Sequence, residues 1–272
     1  MQLIGVTGPS NAGKTTLVEA LVERLSERGT VGTVKHVDCD PTIDTEGKDT
    51  ARHRAAGAER TYGIADGSWF GTGESTTLHD ALEELSTDCD YAVVEGYAEM
   101  DLPQIVLGED DAAAVLAAES AADIDLDDAV NAIESVEPYE TLPSLVADVK
   151  RSADADRAGA IATFTGRVRR KDSPDDDPTE YLEFERYDEV ATEQLATIRE
   201  ELCDRDGVFD VRLHHRTGVV EAGEDVVYVV VLAGHRKEAF RTVEDGIDRV
   251  KDEVPLFKKE VTVSEEFWAH ER

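Results

Sequence analysis

The sequence predicts two domains: an α/β domain with a mainly parallel sheet, followed by an α+β domain with a largely antiparallel sheet. The length of 272 residues is typical of two domains rather than one. In the first half, short apolar strands alternate with amphipathic helices, which indicates a parallel sheet covered by helices. In the second half, runs of strands are separated by single helices, which favours antiparallel pairing. The rhythm changes near Pro138, so the predicted domains are residues 1–138 and 139–272.

The first half contains short apolar strands and one strongly amphipathic helix. The helix is predicted over residues 14–28, and more helix is expected between the second and third strands. Residues 109–140 are rich in Ala and Asp, which predicts further helix and little chemistry. The predicted strands are Gln2–Thr7, 31–36 and Tyr91–Glu95.

The second half alternates strands with single helices. The predicted strands are residues 159–168, 181–187, 211–216, 226–232 and 257–263, and the predicted helices are residues 142–151, 190–203 and 236–253. A polar, acidic loop over residues 171–178 follows the first strand. Pro255 ends the last helix, which carries an apolar face formed by Ala239, Val243, Ile247 and Val250.

The chain is acidic along its whole length, with 61 Asp and Glu against 28 Lys and Arg and a net charge of −33. Such a composition is typical of a halophile. The high salt concentration of its cytosol shortens the Debye length to roughly 3 Å and screens the repulsion between the carboxylates. Phosphate repels an acidic surface, so nucleic acid is not an expected partner. The sequence has no apolar run of transmembrane length and no basic leader before the first strand. We therefore expect a cytoplasmic protein with no membrane partner.

The three cysteines are far apart in the sequence. Cys39, Cys89 and Cys203 have no C-x-x-C spacing, so the sequence supports neither a disulfide framework nor a zinc site. We expect them to be ordinary core or surface thiols.

A phosphate-binding motif lies between the first strand and the first helix. The segment from Gly8 to Thr15 fits G-x-x-x-x-G-K-[ST], in which backbone N–H groups wrap the phosphates and Lys14 reaches the β and γ oxygens. The Thr15 hydroxyl and the Glu95 carboxylate, at the end of a later strand, are candidate Mg²⁺ ligands. An N-K-x-D motif is absent, so the sequence does not specify the base. The predicted nucleotide-binding residues are Gly8, Pro9, Ser10, Asn11, Ala12, Gly13, Lys14, Thr15 and Thr16.

Further segments of the first half resemble a known family. They are Lys35-His36, the stretch from Asp44 through Gly47-Lys48-Asp49-Thr50, Arg52-His53-Arg54, and Val94-Glu95-Gly96-Tyr97. Together, over about residues 1–108, they resemble the adapter protein of molybdopterin-guanine dinucleotide biosynthesis. The resemblance implies a P-loop domain that binds GTP with Mg²⁺, with weak GTPase activity as a further expectation. It also suggests that Lys48, Arg52 and Arg54 lie near the nucleotide. The alternative is a solvated helix start with ion pairs along the helix.

Basic residues cluster near the C-terminus of this lysine-poor chain. Three of its nine lysines are Lys251, Lys258 and Lys259, shortly after the pair His235-Arg236. A cationic pocket in such an acidic molecule is suited to binding an anion or to using an amine as a nucleophile. The alternative is that these are surface lysines paired with the abundant carboxylates.

The second half, over about residues 139–272, resembles the catalytic large subunit of molybdopterin synthase. The matching segments are residues 159–169, Gly234-His235-Arg236, Lys251 and Pro255-Leu-Phe-Lys-Lys-Glu260. The resemblance implies catalytic roles for Lys251 and Lys258. The implied substrate-binding residues are Arg167, Val168, Arg169, His235, Arg236, Lys259 and Glu260. The acidic loop over residues 172–177 departs from bacterial relatives and leaves the rim of the pocket undefined.

The residue types suit sulfur transfer to a phosphorylated pterin. Arg169, His235 and Arg236 can clamp the phosphate. Clustered cations lower one another's pKa, so a lysine in the cluster can act as base or nucleophile. Lys251 closes a helix and Lys258 opens a strand, so a tight reversal brings the two amines together. Strand alternation puts Lys258 and Glu260 on one face and Lys259 on the apolar one, where only a partner surface would explain it.

We conclude from the sequence that a P-loop adapter domain is fused to a molybdopterin synthase catalytic domain. The latter converts cyclic pyranopterin monophosphate into molybdopterin by two sulfur transfers that require no cofactor. No cysteine lies near the cluster, so the sulfur needs an external donor. The resemblance implies a small ubiquitin-fold carrier with a C-terminal Gly-Gly thiocarboxylate. It also implies a homodimer flanked by two carriers, a heterotetramer whose pocket is completed across the dimer interface. The alternatives are a P-loop switch with a non-catalytic docking module for a ubiquitin-like protein, and a P-loop small-molecule kinase.

Overall fold

The chain divides into two compact units, Met1–Tyr139 and Glu140–Arg272. A computed structural model describes residues 1–38, 47–108, 111–171, 173–263 and 266–269. Within these residues, no helix is both long enough and apolar enough to cross a membrane.

The first unit contains a five-stranded sheet in the order β2-β5-β1-β6-β7, in which every pair of neighbours is parallel. This confirms the predicted parallel sheet. The elements are β1 (Gln2–Thr7), α1 (Lys14–Ser26), β2 (Val31–Lys35), α2 (Asp49–Ala55), β3 (Arg60–Ala65), β4 (Ser68–Gly73), α3 (Leu78–Ser86), β5 (Tyr91–Glu95), β6 (Gln104–Leu107), β7 (Leu116–Ala118) and α4 (Leu126–Ser135).

The parallel sheet is held by an apolar layer between its strands and α1. Leu21 and Leu25 of α1 pack with Ile4 and Val6 of β1, and all four side chains are buried. The i, i+4 spacing on the helix and the alternation on the strand meet in one core. This packing fixes the direction in which α1 leaves β1, and therefore the position of the phosphate-binding motif.

The β3–β4 hairpin, which was not predicted, forms a separate two-stranded antiparallel sheet. The strands are joined by Asp66 and Gly67, and Gly67 has a φ of 85°. Asp-Gly between two apolar runs is a strong hairpin signal, because the turn requires positive φ. The short strands β6 and β7 were also missed, and β7 lies in a segment for which only helix was expected.

The second unit contains two antiparallel sheets, in the orders β10-β12-β8 and β11-β9-β13-β14. This confirms the predicted antiparallel α+β class, although β11 and β14 were not foreseen. The elements are α5 (Leu142–Lys150), β8 (Ala160–Arg167), β9 (Thr179–Arg186), α6 (Asp188–Cys203), β10 (Val208–His215), β11 (Gly218–Glu221), β12 (Asp225–Ala233), α7 (Arg236–Glu253), β13 (Leu256–Thr262) and β14 (Glu266–Ala269).

Helix α7 packs against the first of these sheets, and its apolar face is the one predicted. Ala239, Val243, Ile247 and Val250 are all buried in the core of the unit. A Cβ added at Gly246 would lie 3.1 Å from Cγ1 of Val229, so the helix approaches β12 closely at this point. The last turn of α7 is therefore held in a fixed position, immediately before the chain turns into β13.

Candidate functional sites

The phosphate-binding motif forms a tight loop between β1 and α1. Gly8, Asn11 and Gly13 have positive φ values of 131°, 70° and 94°. A Cβ on Gly8 would lie 2.2 Å from the carbonyl oxygen of Leu107, so only glycine fits there. Lys14 Nζ donates hydrogen bonds to the carbonyl oxygens of Gly8 at 2.7 Å and Pro9 at 2.8 Å. The loop thus encloses the ammonium group that the motif assigns to phosphate.

Strands β2 and β5 end beside this loop and bring Lys35 and Glu95 into contact with Thr15, in the first turn of α1. Thr15 Oγ1 donates to Glu95 Oε1 at 2.9 Å, and Lys35 Nζ lies 2.7 Å from the same oxygen and 3.3 Å from Thr15 Oγ1. Lys35 and Glu95 are register partners on the neighbouring strands β2 and β5. Parallel strands present their carboxyl ends at one edge, which is where ligands bind in sheets of this type.

The electrostatics of Glu95 favour its ionised form. Burial alone would raise its pKa, but hydrogen bonds from Lys35 and Thr15, together with the charges of Lys35 and Lys14, lower the pKa below its usual value. A hydroxyl and a carboxylate oxygen 2.9 Å apart are the donor types that Mg²⁺ prefers, so Thr15 and Glu95 fit the predicted ion. Lys35 belongs to one of the motifs of the sequence, but its contacts with both candidate ligands were not predicted.

Only part of the basic stretch in the first unit lies within the described residues. Residues 39–46, which include Cys39 and Asp44, lie outside the described residues. Lys48 is the N-cap residue of the short helix α2. Arg52 Nη1 lies 3.6 Å from Asp49 Oδ1 on the same helix, and both side chains are exposed. This i, i+3 ion pair is the arrangement expected for a solvated helix start.

In the second unit a cavity of about 730 Å³ collects basic side chains from three elements. Arg167 and Arg169 reach it from the end of β8 and the segment that follows, Lys251 from the last turn of α7, and Lys258 from β13. Glu260 is the one carboxylate among its described lining residues. An excess of cations in a molecule with a net charge of −33 indicates an anion-binding site. The apolar part of the wall includes Phe164, Leu182, Phe184, Ile247, Phe257 and Trp268.

Hydrogen bonds and ion pairs hold two of these side chains in place. Arg167 Nε lies 3.0 Å from Asp225 Oδ1, and its Nη2 donates to the carbonyl oxygen of Gly223. Glu260 Oε1 accepts a hydrogen bond from the Thr179 hydroxyl. Lys258 lies on β13, between β9 and β14, so its backbone is paired on both sides. The part of the wall that carries Lys258 and Glu260 is therefore built on a paired strand.

Two predicted substrate-binding residues, Val168 and Lys259, make contacts within the second unit. The Val168 side chain is buried in the core, and its backbone N–H and C=O bond to Glu224 and Gly223 at 2.9 and 2.8 Å. Val168 thus fixes the backbone between the two arginines. Lys259 Nζ lies 3.8 Å from Glu183 Oε2, its cross-strand neighbour on β9. Lys259 therefore has an intramolecular carboxylate as a neighbour on this face of the strand.

A single copy of the chain does not bring His235 and Arg236 into this cavity. His235 is the N-cap of α7, whereas Lys251 is in its last turn. Sixteen residues of α-helix at 1.5 Å each separate them by about 24 Å. The predicted clamp of Arg169, His235 and Arg236 is therefore not assembled within one chain. Of the acidic loop, Asp172 lies outside the described residues, and residues 173–177 do not line the cavity.

Sequence reasoning missed His215, which lines the cavity from the end of β10. Its ring packs edge-on against Phe184 with centroids 4.9 Å apart, and its side chain is almost fully buried. Nδ1 lies 2.7 Å from the carbonyl oxygen of Arg216. The only signal in the sequence was the His214-His215-Arg216 triplet at the end of a predicted strand.

The adjacent His214 has a different environment, because successive residues of a strand face opposite sides of the sheet. Its ring stacks on Tyr228 at 6.1 Å between centroids and an interplanar angle of 15°. Burial lowers the pKa of His214 to about 3, and the neighbouring charges of His215, Arg186 and Arg216 act in the same direction. His214 is therefore a neutral packing residue.

Family models match each unit separately. The model of the MoaE protein family matches residues 140–253, which contain the cavity walls up to the last turn of α7. The model of molybdopterin guanine dinucleotide synthesis protein B matches residues 3–126, which contain the phosphate-binding loop. Both matches agree with the resemblances inferred from the motifs.

Individual relatives extend this result to the full length. A probable molybdopterin synthase of Haloferax volcanii is 50% identical over 100% of both chains. The molybdopterin synthase catalytic subunit of Pyrococcus abyssi is 43% identical over 40% of this chain and 73% of its own. The crystal structure of molybdopterin synthase from Staphylococcus aureus, at 31% identity, covers 50% of this chain and 94% of that one with a TM-score of 0.43. Because a relative shares half of its residues along the entire length, this chain belongs to the molybdopterin synthase family.

Proposed function

We propose that the second unit transfers two sulfur atoms from a thiocarboxylated, ubiquitin-fold carrier to cyclic pyranopterin monophosphate, yielding molybdopterin. The observation that carries this proposal is the convergence of Arg167, Arg169, Lys251 and Lys258 on one cavity. A phosphorylated pterin is an anion with a flat ring system, and the cavity offers both cations and apolar walls for it. Neither described cysteine lines the cavity, which agrees with an external sulfur donor.

The arginines and lysines have different tasks in this proposal. Arg167 is held by Asp225 and, with Arg169, provides guanidinium groups that match phosphate oxygens in a bidentate manner. Lys251 and Lys258 provide compact amines for proton transfer or for contact with the thiocarboxylate. Glu260 and Lys259 continue the same strand beside Lys258 and belong to the proposed substrate-binding set with Val168.

The active form is proposed to be a homodimer flanked by two carriers, in which His235 and Arg236 reach the cavity of the second copy. The support for this arrangement is the distance of about 24 Å along α7, which keeps the pair away from Lys251 of its own chain. A pocket completed across a two-fold axis would use both ends of α7, one in each site.

Mass analysis of the pterin products tests the sulfur transfer directly. The protein is mixed with precursor and thiocarboxylated carrier in molar salt, and molybdopterin is expected with the parent. Lys258→Arg keeps the charge but changes the shape of the donor, so we expect nearly all turnover to be lost, as with Lys251→Ala. Lys237→Ala, on α7 but outside the matched set, serves as the control and should be near neutral. A folded Lys258→Arg variant with parental turnover would reduce the cluster to an electrostatic clamp.

Mixing two inactive variants tests the shared pocket. Lys251→Ala and Arg236→Ala are each expected to be inactive alone. If subunits exchange, half of the dimers are mixed and each of these has one intact pocket, so roughly a quarter of the parental rate should return. No recovery after confirmed exchange would show that Arg236 does not complete the pocket of the second copy.

For the first unit we propose binding of GTP with Mg²⁺, with Lys14 on the phosphates and Thr15 and Glu95 on the metal ion. The support is the loop geometry and the contact between the two candidate ligands. Titration with fluorescent GTP and ATP analogues, with and without Mg²⁺, measures both the affinity and the base preference. Equal affinity for the two bases would refute the guanine assignment and leave a general nucleotide site.

A further inference from the structure

Two motifs of the first unit, Lys35-His36 and Glu95-Gly96-Tyr97, lie at the ends of the neighbouring strands β2 and β5. The backbone holds the two ends together, because His36 N–H donates to the carbonyl oxygen of Glu95 at 2.9 Å. A Cβ on Gly96 would lie 2.9 Å from Cβ of His36, so this close approach requires glycine. Of these two motifs, the proposed nucleotide site uses Glu95 alone.

The side chains of His36 and Tyr97 strengthen the contact between the strand ends. Their rings pack with centroids 4.9 Å apart and an interplanar angle of 60°. Tyr97 has a φ of 59°, a left-handed conformation that a bulky side chain rarely adopts. Strain of this kind persists where the surrounding structure fixes the backbone, and it is concentrated at ligand sites. The strand ends therefore form a fixed base for the charged side chains of Lys35 and Glu95.

The Lys35 side chain is the less buried of the two. It is 52% exposed, whereas the Glu95 side chain is 11% exposed. Lys35 Nζ lies 2.7 Å from Glu95 Oε1 and 3.3 Å from Thr15 Oγ1, and both atoms belong to the proposed ligands of Mg²⁺. An ammonium and a metal ion repel each other at one carboxylate oxygen, so Lys35 must leave these ligands when they hold Mg²⁺. Its flexible four-carbon stem allows the ammonium to take another partner nearby.

The terminal phosphate of a nucleoside triphosphate offers such a partner. In P-loop proteins the metal ion bridges oxygens of the β- and γ-phosphates. A γ-phosphate bound in this way shares its metal ion with Thr15 and Glu95, the two residues that Lys35 contacts. A nucleoside diphosphate has no γ-phosphate and cannot replace the carboxylate that Lys35 loses.

We propose that Lys35 is a specificity-determining residue of the nucleotide site, which binds the terminal phosphate and thereby distinguishes a nucleoside triphosphate from a diphosphate. With a triphosphate, the ammonium exchanges the Glu95 carboxylate for a phosphate oxygen. With a diphosphate, it loses the carboxylate to Mg²⁺ and gains no phosphate. Lys14 does not supply the distinction alone, because the motif directs it to the β-phosphate as well as the γ-phosphate. This inference rests on the proposed binding of GTP with Mg²⁺.

The first test is the ratio of the Kd of GDP to the Kd of a non-hydrolysable GTP analogue, measured by calorimetry on the full chain at saturating Mg²⁺. Lys35→Met should lower this ratio roughly tenfold, the scale of one charge-assisted hydrogen bond, by weakening the analogue alone. Arg28→Met is the matched control, because it removes a cation from another exposed ion pair of this unit, and it should leave the ratio unchanged. A Lys35→Met variant, shown to be folded by circular dichroism, with the parental ratio overturns the inference. So does an equal loss of affinity for both nucleotides.

The second test uses the parent protein and therefore decides the question even if Lys35→Met does not fold. Amine labelling followed by mass analysis of the peptides measures how accessible each lysine is. In the presence of Mg²⁺, the GTP analogue should protect both Lys14 and Lys35, whereas GDP should protect Lys14 alone. Equal labelling of Lys35 with the two nucleotides contradicts the inference. If the parent binds neither nucleotide, the proposed nucleotide site itself fails, which is a different result.

Discussion

Protonation of His214 should destabilise the second unit at mildly acidic pH. The ring is stacked on Tyr228, and burial lowers its pKa from 6.5 to about 3 in the folded chain. An unfolded chain has no such burial and takes up a proton below about pH 6.5. The unfolded state therefore binds more protons than the folded state between these two values, and stability must fall as the pH is lowered through this window.

The size of the effect follows from the two pKa values. At pH 5, the unfolded histidine is about 1.5 pH units below its pKa, while the folded one is still neutral. Each pKa unit is about 1.4 kcal/mol, so the parent should lose about 2 kcal/mol of unfolding free energy between pH 7.5 and pH 5 through this residue alone. Above pH 7 the contribution vanishes.

The assay is denaturant unfolding of the full chain in molar salt at several pH values. The protein has two tryptophans, Trp69 in the first unit and Trp268 in the second, so Trp69→Phe makes fluorescence report on the second unit. The measured quantity is the change of unfolding free energy with pH in this background, compared with the same change after His214→Gln. Contributions from the other histidines cancel in the comparison.

The parent should lose about 2 kcal/mol more than the His214→Gln variant between pH 7.5 and pH 5. Equal losses would mean that His214 accepts a proton in the folded chain at an ordinary pKa, and would refute the argument from burial. A larger loss in the variant would mean that folding raises the pKa of His214, and would refute the argument as well.

Three further predictions concern the P-loop and the thiols. Lys14→Ala should abolish binding of GTP with Mg²⁺, measured by fluorescent-analogue titration, while sulfur transfer continues; equal loss of both would show that the units depend on each other. Lys35→Met removes an ammonium group that contacts both Thr15 and Glu95. Without this ion pair of about 1 kcal/mol, the two candidate ligands are easier for Mg²⁺ to bind. Nucleotide binding should therefore reach half-saturation at a roughly fivefold lower Mg²⁺ concentration. Arg28→Met, which also breaks an exposed ion pair in this unit, should leave the Mg²⁺ dependence unchanged. Replacing all three cysteines by serine should keep synthase turnover within a few-fold; its loss in a folded variant would contradict an external sulfur donor.

Local sequence patterns were sufficient to predict most of the helices and strands. Strand β1, strand β5 and helix α7 have the predicted bounds, because each combines a clear apolar period with a terminating Gly or Pro nearby. The β3–β4 hairpin was missed although Asp66-Gly67 is a local signal that could have found it. Strand β14 is different, since its four residues gain their structure only by pairing with β13.

The same division applies to the sites. Lys251 and Lys258 are seven residues apart around Pro255, so covalent geometry alone brings them to one region, and the sequence determined that much. The glycines and Lys14 of the P-loop were likewise determined by the sequence, because a strand, a tight turn and a helix start are contiguous. The predicted length of α7 already implies that His235 and Lys251 are about 24 Å apart within one chain. The sequence interpretation nevertheless assigned both residues to one site.

Only the tertiary structure decided which residues meet across long sequence separations. Lys35 pairs with Glu95 because β2 and β5 are neighbours in register, and Lys259 pairs with Glu183 because β13 lies beside β9. His215 reaches the cavity of Lys251 and Lys258 through the packing of two sheets. Sequence periodicity fixes which face of an element is apolar. The order of strands and their register depend instead on the summed packing of the whole unit, which no local window contains.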